Sequence, residues 1–169
     1  MRRQLVALVN QETGVDLSQI LLLRNANWRA DGVRARGASI DQWVSIRTTD
    51  TKYDYFWHRR PQTELVVVIV REDGRDRVYG VYRVLGVEST GTLGSLATEP
   101  LRQSYIDCGV ENKPARKFKI EQIPFSATGL PVAGWEGKEI CSVARSDGTL
   151  FWAIEVELPN CPQTGPVDR

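Results

Sequence analysis

Two short stretches concentrate the residue types that handle phosphates and bases. Trp28 and Arg29 lead into Arg34 and Arg36, and Tyr53, Tyr55, Phe56 and Trp57 run directly into His58, Arg59 and Arg60. Guanidinium groups neutralise phosphates, and flat aromatic faces stack on exposed bases. A base swung out of a duplex needs such a box, an aromatic wall with polar groups that read its edge. Residues 1–60 hold ten Arg and Lys against six Asp and Glu, although the whole chain of 169 residues carries a net charge of only +1. The electrostatic case for nucleic acid is therefore local rather than global. Lys113, Arg116, Lys117 and Lys119 form a second basic cluster. The competing reading makes Trp43, Phe56 and Trp57 core residues and the arginines ordinary surface charge.

Other chemistries have less in their favour. Glu136-Gly137-Lys138 matches the tail of a restriction-type nuclease signature, in which a carboxylate holds Mg²⁺ and a lysine supports the attacking water. Asp107 would be the upstream carboxylate of such a metal-dependent endonuclease. That signature normally lies along a buried strand, whereas Gly134 and Gly137 suggest a bend. Nucleophilic catalysis lacks parts, since His58 is the single histidine and no Gly-x-Ser-x-Gly run occurs. Cys108, Cys141 and Cys161 are odd in number and lack metal-ligand spacing, so reduced thiols are expected and no zinc site. Gly86–Ser95, rich in Gly and Thr, has the backbone freedom to cradle a phosphate but lacks a P-loop lysine, and reads as a flexible loop. No metal or cofactor is expected. No run approaches the ~20 apolar residues of a membrane span, and Met1–Gly14 has no signal-peptide pattern, so a cytoplasmic protein with no membrane partner is expected.

The elements that must position these residues follow from periodicity. Leu5, Leu8 and Val9 share a helical face, which predicts a helix over 2–12 stopped by Gly14. The apolar run Ile20–Arg24 reads as a buried strand. Ser39 and Gln42 predict a capping box on a short helix carrying Ile40, Trp43 and Val44. Glu64–Val70 and Arg77–Val87 are β-branched and aromatic and flank Asp73-Gly74, which predicts a hairpin of two central strands. Lys117–Ile123 alternates as a strand. Glu139–Arg145 and Leu150–Leu158 predict a second hairpin around Ser146-Asp147-Gly148. Together these predict an α+β fold. A strongly curled, mainly antiparallel sheet or partial β-barrel carries short flanking helices, in one β-rich recognition domain over 1–158 with a flexible Pro-rich tail over 159–169.

Gly80-Val81-Tyr82-Arg83-Val84 resembles the opening strand of a GIY-YIG nuclease, but no Tyr-Ile-Gly partner strand follows. Three further pieces, Leu22-Leu23-Arg24-Asn25, Tyr79-Gly80-Val81-Tyr82 and Leu130–Trp135, resemble the β-rich N-terminal module that bacteria fuse to GIY-YIG nuclease domains. Asn25 stands where that module would have His. The resemblance implies a bacterial, DNA-associated recognition module without its cutting domain, tied to restriction or defence systems, with a separate nuclease subunit as a possible partner. The strand order is also similar by pattern to PUA-like barrels, the superfamily that includes readers of modified bases. The expected reading is a non-catalytic nucleic-acid module, for DNA rather than RNA. Arg29, Arg34, Arg36, Arg59 and Arg60 would contact phosphates, with His58 beside them. Trp28, Tyr55 and Trp57 would stack on bases, and Tyr82 and Arg83 would line a pocket if their faces turn inward. A protein-interaction or structural domain without ligand is the alternative from a different class.

Overall fold

The computed structural model describes residues 1–25, 37–49, 61–72, 74–133 and 155–159. Among them a five-stranded, strongly curled half-barrel sheet carries the fold. Its strands are β2 (Ile20–Asn25), β3 (Ile46–Thr48), β4 (Leu65–Glu72), β5 (Arg75–Thr92) and β6 (Pro114–Ile123), in the order β2-β4-β5-β6-β3. Three short strands, β1 (Arg2–Gln4), β7 (Val132–Ala133) and β8 (Glu155–Glu157), form a second sheet in the order β1-β8-β7.

The β4–β5 hairpin forms as its residues dictate. Every residue from Leu65 to Val70 is buried, as expected of a strand covered on both faces. β4 pairs antiparallel with β5 on one side and parallel with β2 on the other. The parallel pairing needs a crossover between β2 and β4, and α2 (Ile40–Ser45) and β3 lie within it.

The curl comes from β5. Its first part, Arg75–Arg83, pairs with β4, and its later part, Val81–Thr92, pairs with β6, so only Val81–Arg83 is bonded on both sides. Register shifts leave Tyr79, Leu85 and Glu88 as extra residues in the strand. Such bulges bend a strand and increase its twist. Gly86, beside the second bulge, has φ of +129°, which side chains rarely adopt.

β5 runs on to Thr92, through residues whose glycines suggested a loop, because β6 pairs with it all the way to Pro114. A short helix, α3 (Leu93–Leu96), follows, with a reciprocal capping box between Thr92 and Ser95. Its N–H groups are committed: Thr92 donates to Ser95 Oγ, Leu93 to Lys113 O and Gly94 to Glu111 O. That leaves no phosphate cradle there. α4 (Leu101–Asp107) comes next and buries Leu101, Ser104 and Tyr105.

The N-terminal helix is shorter than its periodicity predicts. α1 spans Leu5–Thr13, buries Leu5, Val6, Leu8 and Val9, and ends at Gly14 with φ of +74°. Residues 2–4 are drawn into β1 instead, where Arg2, Arg3 and Gln4 face Glu157, Val156 and Glu155. At α2, Ser39 accepts from the Gln42 N–H, but the Gln42 side chain does not reach back to complete the box. It grips Thr98, donating to Oγ1 at 2.7 Å and accepting from N at 3.1 Å. The small sheet is fastened to the hairpin end of the large one. Val78 N donates to Leu130 O, and Gly129 N donates to Val78 O. No helix among the described residues is long and apolar enough to cross a membrane.

Candidate functional site

Nine of the eleven residues expected to touch nucleic acid lie outside the described residues: Trp28, Arg29, Arg34, Arg36, Tyr55, Trp57, His58, Arg59 and Arg60. The second expected hairpin, apart from Glu155–Leu158, and residues 160–169 of the expected tail lie outside them too. Tyr82 and Arg83 are described, and they point to opposite faces of β5.

Tyr82 is only 1% exposed and belongs to the core. Its hydroxyl donates to Asp41 Oδ1 at 2.5 Å. Burial first, and the Asp41 carboxylate second, push the phenol far above its ordinary range. Tyr82 therefore stays protonated and serves as a donor. Arg83 is about one-third exposed and donates to Glu64 Oε2 at 2.6 Å, across the β4–β5 pair.

Asp41 and Gln122, which no motif points to, join Tyr82, with Gly80 beside them. Gln122 is its register partner on β6, so their side chains share a face. Gly80, two residues before Tyr82, lies on that face as well. A Cβ on Gly80 would sit 2.6 Å from Gln122 Nε2 and 3.6 Å from Tyr82 Cε1. The missing side chain thus makes room for the Gln122 carboxamide against the sheet. Asp41, in the first turn of α2, is exposed, as is Gln122. Asp41, Gly80 and Gln122 are separated by about forty residues each along the chain, so no local spacing could have linked them.

The guanidinium groups of the scaffold are largely engaged. Asp76, a buried carboxylate, takes Arg24 Nε at 3.1 Å and Arg71 Nη1 at 3.2 Å. Arg77 donates to Gly129 O, and Arg102 donates to Gly94 O and Ala97 O. Arg47 donates to Trp43 O at 2.7 Å and lies 4.6 Å over the Trp43 ring, a cation–π contact. Lys117 pairs with Glu88. Of the described aromatics, Trp43, Tyr82, Tyr105, Phe118 and Phe125 are buried and Tyr79 is half-buried.

The nuclease alternative places one of its three residues in view. Asp107 is exposed at the end of α4 and accepts from Gln103 Nε2 at 2.9 Å, while Glu136 and Lys138 lie outside the described residues. Among the described residues no group of three His, Cys, Asp or Glu side chains is arranged to hold a metal ion. Cys108 is a free thiol.

No family model matches the chain, and neither a curated protein nor a solved structure matches it.

Proposed function

We propose that this chain is a nucleic-acid recognition module that reads an extruded or modified base, built on a PUA-like curled sheet. One observation carries the reading. Among the described residues the arginines are largely engaged with internal partners, and the aromatics are buried or half-buried. In the sequence, cations and aromatics gather in segments 26–36 and 50–60, where Arg29, Arg34, Arg36, Lys52, Arg59 and Arg60 stand against Asp31, Asp50 and Asp54. Trp28, Tyr53, Tyr55, Phe56 and Trp57 lie in the same segments. Both segments adjoin strands of the large sheet, one between β2 and α2 and the other between β3 and β4. Basic and aromatic residues on the connections of a rigid sheet are what recognition of a phosphate backbone and a base requires.

The resemblance to the module fused to GIY-YIG nucleases favours DNA over RNA and a separate nuclease subunit as partner. The protein would then act in the cytoplasm of a bacterium, in a restriction or defence setting.

A titration of labelled DNA duplexes at 50 and 200 mM salt tests the proposal. Five arginine–phosphate contacts give a slope of about −4 to −5 in log K against log salt, so affinity falls about 10²–10³-fold over that range. Absence of binding at 50 mM salt, or affinity unchanged by salt, overturns it.

A further inference from the structure

We propose that Asp41 and Gln122, positioned by Tyr82 and Gly80, form the polar edge that reads a nucleobase bearing an exocyclic amino group. The inference rests on the recognition reading above and names the chemistry that reading leaves open. Four observations centre on Tyr82. Tyr82 and Gln122 are register partners, so their side chains project from the same sheet face. Gly80 lets the Gln122 amide lie against that face, where a Cβ would collide with Nε2. The Tyr82 hydroxyl holds Asp41 Oδ1 at 2.5 Å, so Oδ2 is the carboxylate oxygen left to accept from another group. Asp41 and Gln122 are both exposed, Asp41 held by the buried Tyr82 and Gln122 lying opposite it on β6.

The donor and acceptor pattern selects the ligand. A carboxylate only accepts, and a carboxamide both donates and accepts. The complementary edge needs an N–H group beside a ring acceptor. Cytosine supplies this with its amino group and N3, and adenine with its amino group and N1. Acidic side chains accept from the cytosine amino group, and Gln pairs with two edge atoms of adenine. Uracil places a carbonyl oxygen where cytosine has its amino group, and an N–H where cytosine has the N3 acceptor. That oxygen would face the Asp41 carboxylate with no proton between them. Tyr82, being buried, touches no ligand and is a positioning residue that acts through Asp41. Gly80 acts in the same way through Gln122.

The test uses two duplexes that differ in one base, one with a single unpaired cytosine at its centre and one with uracil there. The full chain is expected to bind the cytosine duplex about tenfold more tightly, the lower range of one good edge contact. Asp41→Asn exchanges an acceptor for a donor and is expected to abolish or reverse the preference. Gly80→Ala displaces only the far end of a flexible side chain, so its melting temperature should stay near that of the parent while the preference falls. Tyr82→Phe releases Asp41 and is expected to lose the preference too. Equal binding of both duplexes by the parent overturns the proposal, as does retention of the full preference in both Asp41→Asn and Gly80→Ala. No binding of either duplex by the parent would instead overturn the recognition reading itself, and this site with it.

Discussion

Asp76→Asn is the substitution from which the fold should suffer most visibly. The Asp76 side chain is 4% exposed, and it joins Arg24, 11% exposed on β2, to Arg71, 32% exposed on β4. Removing one partner of a buried ion pair costs about 3–5 kcal/mol, because the remaining charge loses its compensation. Asparagine keeps one acceptor oxygen, which places the cost at the lower end, about 3 kcal/mol. A chain of this length loses about 2–4 °C of melting temperature per kcal/mol, so a fall of about 6–12 °C is expected. Arg71→Gln is the control. It removes the more solvated partner and leaves Arg24 with Asp76, so it should cost no more than about 1 kcal/mol, or at most about 4 °C. Thermal melts followed by far-ultraviolet circular dichroism read both. An Asp76→Asn protein melting within 2 °C of the parent would refute the reasoning. So would an Arg71→Gln protein that falls as far, since burial would then not govern the cost.

Alkaline pH should weaken the fold. Burial pushes the Tyr105 hydroxyl up to about 12, with Arg47 drawing it slightly the other way, and Tyr82 is shifted upward as well. In the unfolded chain both ionise near pH 10. Their contribution is complete below that pH, and it is lost as pH rises from about 10 towards 12, at about 1.4 kcal/mol per pH unit for each tyrosine. Urea midpoints at pH 9, 10.5 and 11.5 check this, and a flat profile would contradict it; Tyr105→Phe should flatten the fall by one tyrosine's share. At α3, Thr92→Ala removes the N-cap oxygen and should cost about 1 kcal/mol, seen as a loss of about 2–4 °C in a thermal melt. Adding Ser95→Ala should cost less than its effect alone, because both side chains belong to one reciprocal box.

Much of the sheet was legible in the residues. The β4–β5 hairpin follows from two β-branched runs around Asp73-Gly74, and β6 from its alternation. The expectation of an α+β fold with a curled, mainly antiparallel sheet agrees with the strands formed. The Ser39 cap on α2 could be read too, because a cap involves only neighbours three residues apart. The far end of β5 was harder. Gly86, Gly91 and Gly94 suggested a loop, and only pairing with β6 holds that stretch extended. Likewise Arg2–Gln4 fit the helical periodicity of α1 but are drawn into β1 by Glu155–Glu157, some 150 residues away. Tertiary pairing overrides local preference in both places.

The candidate site divides along the same line. Arginines and aromatics gathered in segments 26–36 and 50–60 are visible in the linear sequence, because clustering is a property of neighbours in the chain. Tyr82 also stands out there, but nothing local shows that its ring is buried with its hydroxyl on Asp41. Gln122 beside Gly80, and Asp76 between two arginines, depend on the register of β2, β4, β5 and β6. A one-residue slip in any of those pairings would turn the side chains to the opposite face. Composition and periodicity therefore determined the kinds of element and the kinds of chemistry this chain carries. The register of the curled sheet decided which side chains meet, because contacts between distant residues form only once the strands have paired.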